Sequence, residues 1–315
     1  MECERCGSPS VIDRPYDGSH PCERHFRASV RDRFRREMHR QFPRFSGGRI
    51  AVALSGGKDS AVALSLVHAY FDRRPGAEIV AVTVDEGIEG YRSATMGKAD
   101  ELARRLGVEH RIVRAKEELG ATTDAAAARL GDAQPPCGFC GVWRRRLLNR
   151  AAREVEADVL VLGFNLDDLA QTVLMNVVRG DVDRLVRMAP HRRRQPGLVP
   201  RIAPLATVPE REVYLYARLA GIPFDHSECP YAGRAARNVF REVLWRLEET
   251  LPGTRHTLLR TRTKLAEALE AAGAGGAPVL CERCGEPSTG PVCRSCQYLD
   301  AAGKPLMEVS GSWGP

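Results

Sequence analysis

The stretch RIAVALSGGKDS, residues 49 to 60, sets the architecture. RIAVAL is an apolar run of strand length rich in β-branched residues, and SGGKDS turns it directly into a helical pattern over residues 58 to 73. Gly56 and Gly57 permit a tight turn with exposed backbone N–H groups. The helix N-terminus that follows adds the positive end of its dipole, so the loop suits an anion. It is not a Walker loop, because that motif requires G-x-x-x-x-G-K-[ST] and here only two residues separate Gly56 from Asp59.

Outward from this junction, EIVAVTVD (78 to 85), HRIVRA (110 to 115) and DVLVLGF (158 to 164) read as further buried strands. Helical patterns over residues 92 to 106, 142 to 156 and 167 to 179 lie between or after them. The alternation predicts an α/β domain, a parallel sheet with helices on both faces, whose ligands bind beyond the carboxyl ends of the strands. Ala53, Val84, Asp85, Gly163, Asp167 and Asp168 stand at those ends. PEREVYLYARLAGIPF (209 to 224) reads as a helix and a short strand. Residues 234 to 250 and 255 to 272 read as helices, and GAGGAP (273 to 278) as a hinge.

Ten cysteines fall into three sets. Cys3, Cys6, Cys22 and His25 read C-x2-C-x15-C-x2-H, and Cys281, Cys284, Cys293 and Cys296 read C-x2-C-x8-C-x2-C. Each quartet offers four soft ligands in two close pairs, as a tetrahedral zinc ion requires, in a segment too poor in apolar residues to fold alone. Two Zn²⁺ ions are therefore expected. Cys137, Cys140 and Cys229 remain.

The net charge of +7 and pI near 9.0 suggest a polyanionic partner. The basic residues cluster in RASVRDRFRREMHRQFPRF (27 to 45), with seven arginines, and in HRRRQPGLVPR (191 to 201). Together these runs favour nucleic acid. No apolar run approaches the roughly 18 to 20 residues of a bilayer span, and the first residues lack the apolar core of a signal peptide, so a cytoplasmic protein is expected.

SGGKDS resembles the signature S-G-G-x-D-S of the PP-loop ATP pyrophosphatases, matched by Ser55, Gly56, Gly57, Asp59 and Ser60. The resemblance implies that the loop binds the pyrophosphate end of ATP and that cleavage leaves AMP on a substrate oxygen. Ser55, Gly57, Lys58 and Ser60 would hold phosphate oxygens, and Asp59 would help to place the nucleotide or a Mg²⁺ ion. Ala53, Val84 and Asp85 would border adenine and ribose. GFNLDDLAQT (163 to 172) resembles the G-H-N-x-D-D-x-A motif of the tRNA-thiolating branch, with Phe164 in place of the histidine and Asp168 the acid nearest the reacting centre.

The zinc-type modules, SGGKDS, the central C-x2-C and the ECPYA segment holding Cys229 occur in the order found in the TtuA-like tRNA 2-thiouridine synthetases. That resemblance implies a [4Fe-4S] cluster on Cys137, Cys140 and Cys229, with one iron free of protein ligands. A persulfide pair among these cysteines, or a zinc site completed by His226, are the alternatives. Arg144, placed at the start of the helix after Cys140, would neutralise charge at the α-phosphate or the adenylate, or else belong to a basic face. The resemblance further implies tRNA as substrate and a homodimer. Sulfur would come from a ubiquitin-like carrier protein with a C-terminal thiocarboxylate, or from inorganic sulfide. The expected organisation is an N-terminal zinc finger (1–27), a PP-loop domain (28–225), a helical part with the third cluster cysteine (226–276) and a zinc ribbon (277–315).

Overall fold

The computed structural model describes residues 1–43, 47–72, 74–188, 190, 195–272 and 278–303. Arg44 and Phe45 of the first basic run, residues 191–194 of the second and residues 273–277 of the GAGGAP stretch lie outside the described residues. From the N-terminus come α1 (Glu23–Gln41), β1 (Gly48–Ala53), α2 (Lys58–Phe71), β2 (Ala77–Asp85), α3 (Arg92–Leu106) and β3 (Glu109–Arg114). Short helices α4 (Ala115–Leu119) and α5 (Thr123–Leu130) precede α6 (Pro136–Glu154), β4 (Val159–Val161), α7 (Leu166–Val178), α8 (Val182–Val186) and β5 (Arg201–Ile202). Then follow α9 (Glu210–Leu219), α10 (Arg237–Thr250), α11 (Thr254–Ala271), the β6 (Val279–Leu280) and β7 (Pro287–Ser288) ribbon, and α12 (Arg294–Ala301).

The main sheet has the order β3-β2-β1-β4-β5 with every pair parallel. The chain builds outward from β1 in one direction and then, through β4, in the other. The crevice of such a sheet opens where the direction reverses, between the carboxyl ends of β1 and β4. Side chains alternate across it: Ile50, Val52, Ala81, Val159 and Val161 pack with α1, α2 and α9, whereas Ala51, Val80, Val82 and Leu160 pack under α6. The two-sided burial explains why β1, β2 and β4 read as continuous apolar runs.

Three expectations are corrected. HRIVRA is not a buried strand: β3 lies at the sheet edge, with Ile112 37% exposed. DVLVLGF keeps only Val159–Val161 in the sheet, since the chain at Gly163 has already turned towards the phosphate loop. The helix expected from residue 142 begins at Pro136, so Arg144 lies well inside it and shares it with Cys137 and Cys140. Proline is favoured in a first helical turn. Phe139 and Trp143, one turn apart, are buried with ring centroids 5.1 Å apart, and that burial outweighs the poor helix propensity of Gly138 and Gly141.

Both cysteine modules are packed onto the body. Glu212 on α9, fully buried, receives Arg14 at 2.7 Å and also binds Arg33 and Tyr16, so the first module and α1 share one carboxylate. At the other end Leu299 and Ala302 join the core beneath α6. There Trp143 donates to the Ser295 carbonyl at 3.5 Å, and Arg153 pairs with Glu286 at 2.6 Å. Several arginines of the first basic run are thus used internally: Arg33 on Glu212, Arg40 on Glu37 at 2.6 Å and Arg27 on Glu23 at 3.2 Å.

Candidate active site

The SGGKDS loop is held by its own hydroxyls. Ser60 Oγ accepts from the Ser55 backbone N–H at 3.0 Å, lies 3.0 Å from Ser55 Oγ and donates to the Gly57 carbonyl at 2.9 Å. Gly56 has φ +86°, and a Cβ there would stand 1.9 Å from the Thr95 carbonyl oxygen, so only glycine fits. Gly57 is the extended N-cap of α2, which leaves the first N–H groups of that helix facing the crevice. Opposite, a Cβ on Gly163 would come within 2.9 Å of the Ser60 nitrogen, so this glycine lets the end of β4 close against the loop.

Lys58 Nζ contacts Asp59 at 3.1 Å and Glu210 at 2.7 Å. Burial opposes its charge, but the two carboxylates overcome that and hold the ammonium above the ordinary lysine value. Asp59 accepts from Asn165 Nδ2 at 3.0 Å; burial raises its carboxyl against the pull of Lys58. Asp168 closes a capping box with Asn165 at the start of α7 and meets Arg237 at 3.3 Å. Burial, then the charge of Asp59, pushes its carboxyl up to about 6. Two buried carboxylates, one raising the other across a crevice, are suited to a divalent cation between them. Asp167 turns the other way, accepting from the Glu210 backbone N–H at 2.7 Å and pairing with Arg255 at 3.1 Å.

Cys137 and Cys140 lie in the first turns of α6, and Cys229 approaches from the loop before α10. Cys137 is exposed, Cys229 half-buried and Cys140 buried. Burial raises Cys137 and Cys229; Cys229 and Cys140 add to this at Cys137, and Cys140 at Cys229, so the three share one electrostatic neighbourhood. Among the described residues only the two quartets bring all their ligand atoms within 4.8 Å of one another. The trio is spread wider than a single ion requires. His226, the alternative fourth zinc ligand, packs its ring on Phe224 with centroids 4.5 Å apart.

Arg144 reaches the trio by its Nη2, 3.5 Å from Cys140 Sγ, while its Nε lies 2.7 Å from Glu86. Glu86, 1% exposed, also pairs with the buried Arg92. Arg92 in turn donates to the Ser55 carbonyl at 3.3 Å and the Val84 carbonyl at 2.9 Å. A continuous bridge thus runs from phosphate loop to cysteine through Arg92, Glu86 and Arg144. Sequence reasoning missed Glu86 and Arg92, although Glu86 directly follows Asp85 at the end of β2. Asp85 accepts from the Gly87 backbone N–H at 2.9 Å and shapes the turn. Val84 is buried in the core, and Ala53 ends β1 beside the loop.

The quartets have zinc dimensions. Cys3 Sγ lies 3.2 Å and Cys22 Sγ 3.5 Å from His25 Nδ1, and Cys6 and Cys22 stand 3.6 Å apart. In the second, Cys281 and Cys296 are 3.8 Å apart, Cys284 and Cys293 3.6 Å. Tetrahedral ligands about 2.3 Å from zinc stand roughly 3.8 Å from one another. Cys293 is also the N-cap of α12, accepting from the Cys296 N–H at 3.4 Å.

Comparison with known proteins accords with this geometry. The PP-loop domain family matches residues 30–248. The chain is 40% identical to the tRNA 2-thiolation protein NcsA of Haloferax volcanii, over 96% of this chain and 99% of that one. It is 32% identical to the tRNA-5-methyluridine(54) 2-sulfurtransferase of Pyrococcus horikoshii, over 95% and 93%. A solved structure, the U34-tRNA thiolase NcsA of Methanococcus maripaludis with its [4Fe-4S] cluster, superposes with a TM-score of 0.85 at 33% identity, covering 99% of each chain. A further relative, 34% identical over 99% of this chain and 88% of its own, is the cytoplasmic tRNA 2-thiolation protein 1 of Chlamydomonas reinhardtii, and no helix among the described residues is long and apolar enough to cross a membrane. With a phosphate loop, three cysteines beside it and two zinc-sized quartets in one crevice-bearing fold, the chain belongs to the PP-loop family and, within it, to the tRNA 2-thiolation proteins.

Proposed function

We propose that the chain is a tRNA 2-thiouridine synthetase, which adenylates a tRNA uridine or ribothymidine at its C2 oxygen and replaces that oxygen with sulfur. The observation that carries this reading is the bridge from Ser55 to Cys140, which joins a nucleotide loop to a thiol site. ATP lies with its pyrophosphate on Ser55, Gly57, Lys58 and Ser60, beside the N-terminus of α2. Asp59 and Asp168 would hold a Mg²⁺ ion, which would neutralise phosphate charge. The C2 oxygen attacks the α-phosphorus, the bond to the bridging oxygen breaks, and pyrophosphate leaves towards Lys58. Sulfur, entering as a sulfide-level nucleophile, then forms the C2–S bond as AMP departs with the former O2.

Cys137, Cys140 and Cys229 would hold a [4Fe-4S] cluster, which when bound supplies thiophilic iron for carrying that sulfur. Arg144 keeps positive charge next to Cys140 and, as a guanidinium, does not donate protons. The two quartets would each hold a Zn²⁺ ion, which would brace the surfaces on which tRNA backbone is gripped. A ubiquitin-like carrier with a C-terminal thiocarboxylate, or inorganic sulfide, delivers sulfur, and the working unit is a homodimer.

The test is pyrophosphate release from ATP with and without unmodified tRNA, followed by mass spectrometry of the tRNA nucleosides; absence of tRNA-dependent release sinks the reading. Cys229→Ala is expected to lose the brown chromophore of anaerobically purified protein and its thiolation, while about two zinc ions per chain remain. A colourless wild-type protein that still thiolates would favour the persulfide route. For Asp168, whose carboxyl is pushed up to about 6, the carboxylate form is lost as pH falls through that value. The kcat/KM for adenylation should therefore decline below about pH 6, and Asp168→Asn should be about a hundredfold slower than wild type above that pH and lack this limb, so that the gap narrows in acid. A pH profile of wild type without that limb would count against this assignment.

A further inference from the structure

A cavity of about 460 Å³ opens between α7, the start of α9 and one side of α10. Gln171, Glu210, Glu228, Asn238, Arg241 and Trp245 are among the residues that line it. Gln171 is 4% exposed and lines this cavity, so what surface its carboxamide keeps, one acceptor and one donor side by side, is offered to a ligand's polar edge. On the same cavity Trp245 is 56% exposed, a large indole without packing partners over much of its surface.

The position is informative. Glu210, which holds Lys58 of the phosphate loop at 2.7 Å, forms one wall, and Glu228, the residue before Cys229, forms another. The cavity therefore borders the segments that carry both halves of the chemistry. Most of its charges are paired: Asp167 with Arg255 of the lining at 3.1 Å, and Glu210 with Lys58 and Glu242 with Arg246 at 2.6 Å from outside it, while the other two lining charges, Glu228 and Arg241, are of opposite sign. A neutral ligand suits such walls better than an ion.

We propose that this cavity takes the extruded pyrimidine base of the substrate nucleotide, stacked on Trp245 and read by Gln171. Single-stranded bases are recognised by stacking on aromatic side chains and by hydrogen bonds to their edges. The uracil edge presents N3–H between two carbonyls, and a carboxamide offers one acceptor and one donor side by side. Gln171 pairing with N3–H and O4 leaves the C2 oxygen free for the α-phosphorus. The inference rests on the thiolation reading for the identity of the base.

The experiment is a fluorescence titration of the full chain with short oligouridylate and with oligoadenylate of equal length, alongside tRNA-dependent pyrophosphate release. Oligouridylate is expected to quench wild type and not Trp245→Ala. Trp245→Ala should also lower pyrophosphate release about tenfold, within the range of one base–aromatic stack, and Trp245→Phe should restore most of it. Because Trp245 is at the surface, its removal does not threaten the fold. Gln171→Leu should weaken oligouridylate about tenfold while leaving oligoadenylate unchanged, which a merely structural loss would not do. No quench of wild type, equal weakening of both oligonucleotides, or undiminished pyrophosphate release in both Trp245→Ala and Gln171→Leu overturns the pocket. A Trp245-dependent, Gln171-dependent quench in a wild type without tRNA-dependent release would instead support the pocket and sink the thiolation reading.

Discussion

Glu86→Gln is expected to slow tRNA-dependent pyrophosphate release about a hundredfold, the scale on which small displacements of reacting groups are felt. Glutamine keeps the shape of the bridge but removes the charge that Arg92 and Arg144 share. Arg92 fixes the Ser55 and Val84 carbonyls, and Arg144 fixes the environment of Cys140, so both ends of the site loosen together. Iron content should fall in the same variant while zinc stays. Glu86→Ala removes the partner of a buried guanidinium altogether and should cost about 3–5 kcal/mol of stability in denaturant unfolding. Pyrophosphate release by Glu86→Gln within about twofold of wild type would show that the bridge does not position the loop.

Glu212→Leu is expected to destabilise the chain by about 3–5 kcal/mol, because Arg14 and Arg33 would be left charged in the interior without the carboxylate that balances them, keeping only neutral acceptors such as Ser29 and the Thr207 carbonyl. Burial alone cannot neutralise them: Arg33 is held above the ordinary arginine value by Glu212 and Tyr16 even against desolvation. The loss should show first as release of zinc from the N-terminal quartet, since Arg14 is the clamp between that module and α9. Replacing Arg14 and Glu212 together by apolar residues should recover much of the stability, as buried pairs often exchange for hydrocarbon at little cost. A double variant no more stable than Glu212→Leu would argue that Arg33, not Arg14, dominates the cluster.

What was legible in the sequence is what is local. The phosphate loop, the strands on either side of the switch point and the zinc-type quartets each declare themselves within a few residues, by spacing or by β-branched runs. The start of α6 did not, because Gly138 and Gly141 conceal a helix whose stability comes from Phe139 and Trp143 beneath it. The edge position of β3 depends on which strands pair, which HRIVRA itself does not encode. Glu86, Arg92 and Arg237 were invisible for the same reason: each acquires meaning from a partner elsewhere in the chain. Asp167 and Asp168 are adjacent in sequence yet face different tasks, one holding α9 and Arg255 and the other facing Asp59.

The packing of α12 under α6 has a consequence for how the protein comes into being. Phe139, which lies between Cys137 and Cys140, has its ring centroid 6.1 Å from that of Tyr298, and Trp143 donates to the Ser295 carbonyl. The floor of the thiol site is therefore completed by residues made some 150 positions later. A nascent chain that has displayed Cys137, Cys140 and Cys229 but not yet its second quartet lacks this floor. The surroundings of Cys137 and Cys140 are therefore complete only once the C-terminal module has folded against α6.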